Sequence, residues 1–314
     1  MSIFQQVGKN VTDSNNITQA MTKANLDWDV SKRQIYVQGS TDMCTTNKWF
    51  ANTRDDNDQI LGIVGPDYQI IQNSELAYMA ERVCGSDVKV ETCGMLHGGQ
   101  RVWIQLDGNP FDVGPKQDVV KPKFLLTNGH TGLHPLAALP TTERVICENT
   151  LNMAITKGRR NNMMITLKHT GSISTRIESL INAIEDFKYR TLDFQTKANY
   201  IAGKNVTTEF VQNFWTQIYV DMFGNIHNNP TTEEHKSDND QAKSTLIKWS
   251  NRFDLESKES GTNLWTAMNA VTYWLDHNQI YRGNNKSENR FVDVLFGQRA
   301  KEKVDIMEYA LSVA

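Results

Sequence analysis

Nowhere in the 314 residues does an apolar run reach the length that spans a bilayer, so no membrane segment is expected. Cysteine is scarce: Cys44, Cys84, Cys93 and Cys147 stand apart with no CxxC pair. A zinc ribbon or a redox dithiol therefore lacks its ligands, and the thiols are expected to be reduced and mostly packed. The amino-terminal MSIFQQVGKNVTDSNN turns polar before an apolar secretory centre can form, which makes the cytoplasm the expected location. A Walker loop, GxGxxG, GxSxG and HExxH are all absent. Their absence weighs against the common enzyme chemistries, and no cofactor is expected.

Positive charge is also in short supply. A formal net charge of −3 argues against coating duplex nucleic acid by bulk electrostatics. The mean conceals a local excess, because residues 151–200 carry eight Lys/Arg against four acids.

What is present divides by period. In GQRVWIQLDGN, Val102, Ile104 and Leu106 alternate with Arg101, Trp103 and Gln105, the pattern of a half-buried strand. VKVETCGML alternates too, and His97-Gly98-Gly99 between them predicts a β-hairpin. ILGIVGPDYQII reads as a strand that turns at Gly65-Pro66-Asp67 before a helix near Asn73–Val83. Further strands are expected at Trp28–Val37, Lys123–Thr127 and Thr142–Cys147. After Ser174 the period becomes 3.6: Ile177, Leu180, Ile181, Ile184 and Phe187 share a helical face, with Lys188 and Arg190 placed near its carboxy-terminal end. Helices are predicted at Thr208–Phe223, Asp240–Phe253 and Asn263–His277, a mobile linker at Asn225–Ser237, and one or two last helices interrupted by Gly297. The fold class is α+β: an N-terminal antiparallel sheet with a covering helix, then a mainly helical C-terminal part. The expected division is a polar arm over 1–27, a sheet domain over 28–165 and a helical region over 166–314.

Several segments could carry chemistry. LLTNGHTGLHP spaces His130 and His134 four apart, but Gly129, Gly132 and Pro135 oppose the helix that would make a metal pair of them. It reads better as a strand entering a glycine-bounded loop, with Asn128, His130 and Thr131 as ligand-pocket candidates. No metal is expected. In TERVICENTLNMAI a strand is expected to give way to a helix. Either Asn149 or Thr150 caps that helix while Arg144 pairs with an acid, or Arg144 and Asn149 face a ligand or a nucleic-acid backbone. Cys147 lacks an identifiable base and is a weak nucleophile candidate. KGRRNN sets Lys157, Arg159 and Arg160 in a glycine-bearing turn suited to phosphate oxygens, against the plainer reading of a solvated basic turn. Lys168 adds to that basic stretch. Trp215, Trp249, Trp265 and Trp274 have apolar neighbours and read as core. Trp103 lies opposite its strand's apolar face, so it packs under a second layer or against a partner.

The blocks GPDYQIIQN, GGQRVWIQL, LLTNGHTG, RVICENTLNMA and GTNLWTAMNAVTYWLDH, with a late LFG, resemble in that order the phage- and plasmid-related family called domain of unknown function 932. The resemblance runs from about Trp28 to Ala310. Thr131 follows His130 where the family usually carries an aspartate. Membership implies a mobile-element setting in a bacterial host and supplies no demonstrated activity. At fold level the order of strands, hairpin and helix also resembles the Rad52-like single-strand annealing proteins of phages. The leading expectation is a non-enzymatic protein of DNA metabolism or recombination that binds, or binds and anneals, single-stranded nucleic acid as a homo-oligomer. Lys157, Arg159, Arg160, Arg144, Asn149, Trp103 and Lys168 are its candidate contacts. The alternative is a host-takeover or anti-defence protein that binds a host protein or a small nucleotide through the His130 loop.

Overall fold

A computed structural model describes residues 2–83, 89–153, 165–166, 173–224, 226–227 and 233–314. The chain opens with α1 (Ile3–Val7), β1 (Gly8–Asn10) and α2 (Ile17–Lys23). β2 (Val30–Gln38), β3 (Met43–Arg54), β4 (Ile60–Val64) and α3 (Asn73–Val83) follow. Next come β5 (Lys89–Leu96), β6 (Arg101–Asp107), β7 (Phe111–Val113), β8 (Asp118–Gly129), β9 (Ala137–Arg144), β10 (Thr150–Asn152) and β11 (Ile165–Thr166). The remainder is helical: α4 (Ile173–Ala202), α5 (Thr208–Phe223), α6 (Glu233–Ser260), α7 (Leu264–His277), α8 (Lys286–Phe296) and α9 (Gln298–Val313). No helix among the described residues is long and apolar enough to cross a membrane.

The large sheet is antiparallel in the order β1-β5-β6-β8-β9-β10, with β7 also paired to β8 and β11 to β9. β2-β3-β4 form a separate antiparallel sheet. The expected β5–β6 hairpin turns at His97–Gly99, where Gly98 adopts a φ of 69°. β2 and β3 run on past their pairing with β4 as a two-stranded ribbon, because β4 meets β3 only at Phe50–Thr53.

Helices cover both faces of the large sheet. On one, Val102, Ile104, Leu106, Phe124 and Leu126 join Leu76, Met79 and Ala80 of α3 and Phe187 and Phe194 of α4 in the main core. That core continues through α5, α6 and α7, so it joins the sheet to the helical half. On the other face, Trp103, Leu125 and Leu139 meet Ile3 and Phe4 of α1 and Phe291, Val294 and Leu295 of α8. Gly94 keeps this second layer close, since a Cβ there would lie 2.7 Å from the Trp103 ring.

Four expectations are corrected. The first 27 residues are not an arm: Ile3, Phe4, Val11, Ile17 and Met21 are buried, because short amphipathic pieces supply one wall of each core. Lys188 and Arg190 are not near a helix end, since α4 continues to Ala202 and Arg190 donates to the Met153 carbonyl at 3.0 Å. α6 begins at Glu233, inside the expected linker, with two glutamates in its first turn where the helix dipole favours anions. Residues 225 and 228–232 of that linker lie outside the described residues. Finally, TERVICENTLN forms no helix up to Asn152: β9 ends at Arg144, a turn with Glu148 at a φ of 54° reverses the chain, and β10 pairs back onto β9.

Candidate functional site

The basic residues Lys157, Arg159, Arg160 and Lys168, expected as phosphate contacts, lie outside the described residues. The other expected nucleic-acid contacts are inside the protein. Trp103 packs under the second layer, stacked on Phe291 at 5.1 Å and tilted against Phe4 at 6.0 Å, so its ring is not available to a base. Arg144 is buried where β9 ends, and its guanidinium pairs with Asp118 and Glu256 and donates to Ser260 Oγ at 2.7 Å. Trp265 Nε1 donates to the same Asp118 at 2.7 Å. Asn149 donates to Asn269 Oδ1 and Thr272 Oγ1 of α7 at 2.9 and 2.5 Å.

Thr150 continues this seam. Its N–H donates to Asp276 at 2.6 Å, and Lys303 of α9 donates to both Thr150 Oγ1 and Asp276 at 2.8 and 2.7 Å. The polar residues of the 144–150 segment are thus drawn inward by α6, α7 and α9. They clamp the helical half to the sheet rather than meet a partner. Burial pushes the Cys147 thiol up to about 12, which leaves it protonated and unsuited to attack.

The ligand-pocket candidates do come together. Asn128 and His130 are buried on one face at the end of β8, and Tyr68 donates to the intervening Gly129 carbonyl at 2.8 Å. Asn52 of β3 donates to the His130 carbonyl at 2.8 Å, while Asn73 at the start of α3 meets His130 Nε2 at 3.0 Å. The close approach that permits this falls at Gly62, where a Cβ would lie 2.5 Å from Thr131 Cα. Thr131 itself is half-buried, and its hydroxyl accepts from Leu133 N. Burial pulls the His130 imidazole down to about 4, so it is neutral at pH 7. Beside this cluster lies a cavity of about 400 Å³ lined by Tyr68, Gln69, Leu133, His134 and Pro135 among others. Asn52 and Asn73 were missed in the sequence because they stand about 60–80 residues away and carry no motif of their own.

A second surface was not anticipated. The β2–β3 ribbon leaves Tyr36 and Trp49 59% and 54% exposed, with Val37 and Met43 beside them. Lys48 is exposed on the same ribbon, and Lys32 sits over the Phe50 ring at 5.6 Å. Arg33 is paired with both Asp55 and Asp58. Exposed aromatics interleaved with lysines form a surface on which planar groups can stack while their charges are met. KRQIYVQ and TNKWF place aromatic and apolar residues next to basic and polar ones, but nothing in that order distinguishes an exposed Trp49 from the buried Trp103.

Neither curated proteins nor solved structures gave a match to this chain. A family model does match, described as Domain of unknown function (DUF932), over residues 60–295. That span runs from β4 into α8 and holds Asn73, Asn128 and His130 of the one cluster and Arg144 to Asp276 of the seam, with Asn52 and Lys303 outside it, and on it the chain belongs to the DUF932 family.

Proposed function

We propose that the protein binds single-stranded nucleic acid, with the β2–β3 ribbon as a stacking surface and the basic residues Lys157, Arg159 and Arg160 as phosphate contacts. The observation that supports this most is the exposure of Tyr36 and Trp49, with Lys48 also exposed, on a ribbon that reaches beyond its sheet. Aromatic faces accept any base, so such a surface favours sequence-tolerant binding of unpaired strands. The proposed setting is DNA metabolism of a phage or mobile element inside a bacterial cell, without a catalytic step. Assembly into a homo-oligomer belongs to the same proposal and is supported by Tyr189, Leu192 and Tyr200, large side chains left exposed along α4.

Anisotropy of a labelled single-stranded oligonucleotide over a salt series tests it. Wild type should bind with an affinity that falls steeply with salt. Trp49→Ala should weaken binding by about 1–3 kcal/mol for a stacked base while leaving the salt slope unchanged. Replacing Lys157, Arg159 and Arg160 by alanine should instead lower the slope by up to about two, at roughly 0.7 per phosphate contact. A wild-type protein with no salt-dependent binding would rule the proposal out.

A further inference from the structure

Asn52, Asn128 and His130 present three buried acceptors whose roles are fixed by the bonds the same side chains already make. Asn73 donates its amide nitrogen to the Leu26 and Trp28 carbonyls at 3.2 and 3.1 Å, so its oxygen must accept from His130. His130 therefore carries its proton on Nε2, and Nδ1 is a bare lone pair. Asn128 spends its amide nitrogen on the Ile71 carbonyl at 3.0 Å and Asn52 spends its own on the His130 carbonyl, which leaves both side-chain oxygens as acceptors. All three atoms, Asn52 Oδ1, Asn128 Oδ1 and His130 Nδ1, are buried with no partner among the described residues. Their owners are adjacent. His130 continues the β8 ladder through its N–H to the Gln100 carbonyl, so its side chain and that of Asn128 lie about 6–7 Å apart along one face. Asn52 is bonded to His130 itself.

Three acceptors without a donor are expensive in a protein interior, because each has given up its bonds to water and gained none in return. Something that brings N–H or O–H groups would remove that cost. A cation would bring donors, but none of the three residues is bonded to a carboxylate among the described residues. Arg54 stacks on Trp28 at 4.2 Å, and Trp28 stands edge-on to His130 at 5.6 Å; the Asp56 carboxylate there is already paired with Arg54 and so does not serve a further cation. Burying an unpaired positive charge there costs far more than the bonds return. The nearby cavity is lined by Tyr68, which is bonded to Gly129 between the two β8 acceptors, and by none of the three acceptor residues themselves.

We propose that Asn52, Asn128 and His130 form an internal receptor for a neutral hydrogen-bond donor, either an ordered water or the N–H or O–H end of a small polar molecule. This stands apart from nucleic-acid binding at the ribbon. A crystal structure of the full chain, at a resolution that orders buried waters, should show density in bonding reach of His130 Nδ1 and at least one of the two amide oxygens. Mass spectrometry of the denatured protein separates the sources: a small molecule released from wild type and not from Asn128→Leu identifies a solute, and density without release identifies water. Nitrogen NMR gives an independent reading in solution, with His130 Nε2 protonated and Nδ1 shifted as a hydrogen-bonded, unprotonated nitrogen. Should Asn128→Leu fail to fold, the two wild-type measurements still decide. No density at the cluster, or an Nδ1 resonance at the position of an unbonded imidazole nitrogen, would overturn the receptor.

Discussion

Lys303 shows what single residues are asked to do in this protein. Its ammonium has no exposure to solvent, and burial pulls its pKa down against the carboxylate of Asp276 that holds it. A buried pair of this kind adds little over a well-packed apolar pair, but losing one partner strands the other. Lys303→Met should therefore cost about 3–5 kcal/mol, read from the midpoint of urea unfolding. Adding Asp276→Asn should recover part of the loss, because an amide at 276 can still accept from Thr150 N and carries no charge. A double variant as unstable as the sum of the singles would mean that the pair is not coupled. The seam around it was only half legible. GTNLWTAMNAVTYWLDH does announce a buried helix, but Asn269, Thr272 and Asp276 sit within its apolar face at spacings of three and four. Those polar positions were the available sign that α7 meets a polar strand. Arg144, Asn149 and Thr150 stood out from their own neighbours, while the elements that bond them were out of sight.

At the scale of elements, β5, β6, β8 and β9 are tied on their second face by a group of titratable side chains. Lys123 is buried and pairs with Glu91 and, at 2.9 Å, with Asp107; Gln105 donates to both acids, and Ser2 donates to Glu143. Burial and the neighbouring Glu91 push Asp107 up to about 7. Burial works against Glu91 as well, but hydrogen bonds from Asp107 and Lys123 and the lysine's charge draw it down to about 2. The signs are opposite. Asp107 binds its proton more tightly in the folded state, so its stabilisation is complete below the unfolded carboxylate range near pH 4 and is lost as pH rises to 7. Glu91 contributes above about pH 4 and loses its contribution as pH falls towards 2. Urea midpoints for Asp107→Asn should lack the decline that wild type shows between pH 4 and 7. An identical decline in both proteins would remove Asp107 as its source. These strands were readable because strict alternation marks β6, and the hairpin turn marks its partner. The alternation says only which residues share a face. It cannot say whether the second face is also covered, and so a second layer and a partner remain equal readings of Trp103 until α1 and α8 are in place.

For the molecule as a whole, the two halves share a core, and the polar seam crosses between them. The switch of period near residue 170 locates the change from sheet to helix, where α4 begins at Ile173. Period does not reveal whether the halves are separable, because that depends on what lies at their junction. Here the junction holds Arg144 between Asp118 of β8 and Glu256 of α6, Asn149 on α7, and Thr150 between α7 and α9. A fragment of residues 1–165 would keep Arg144, Asn149 and Thr150 but lose every helical partner of theirs. It would also expose the apolar face of β6 and β8 that Phe187 and Phe194 cover. Uncompensated polar groups and an uncovered sheet face both favour unfolding or association. Fragment 1–165 should accordingly show no cooperative thermal transition and poor amide dispersion by NMR. The full chain should unfold in one transition, with circular dichroism and tryptophan fluorescence coinciding, since Trp103 reports the second layer while Trp215, Trp249, Trp265 and Trp274 report the helical half. Two separated transitions, or a fragment that folds alone, would show that the seam is an interface between independent domains and not part of a single core.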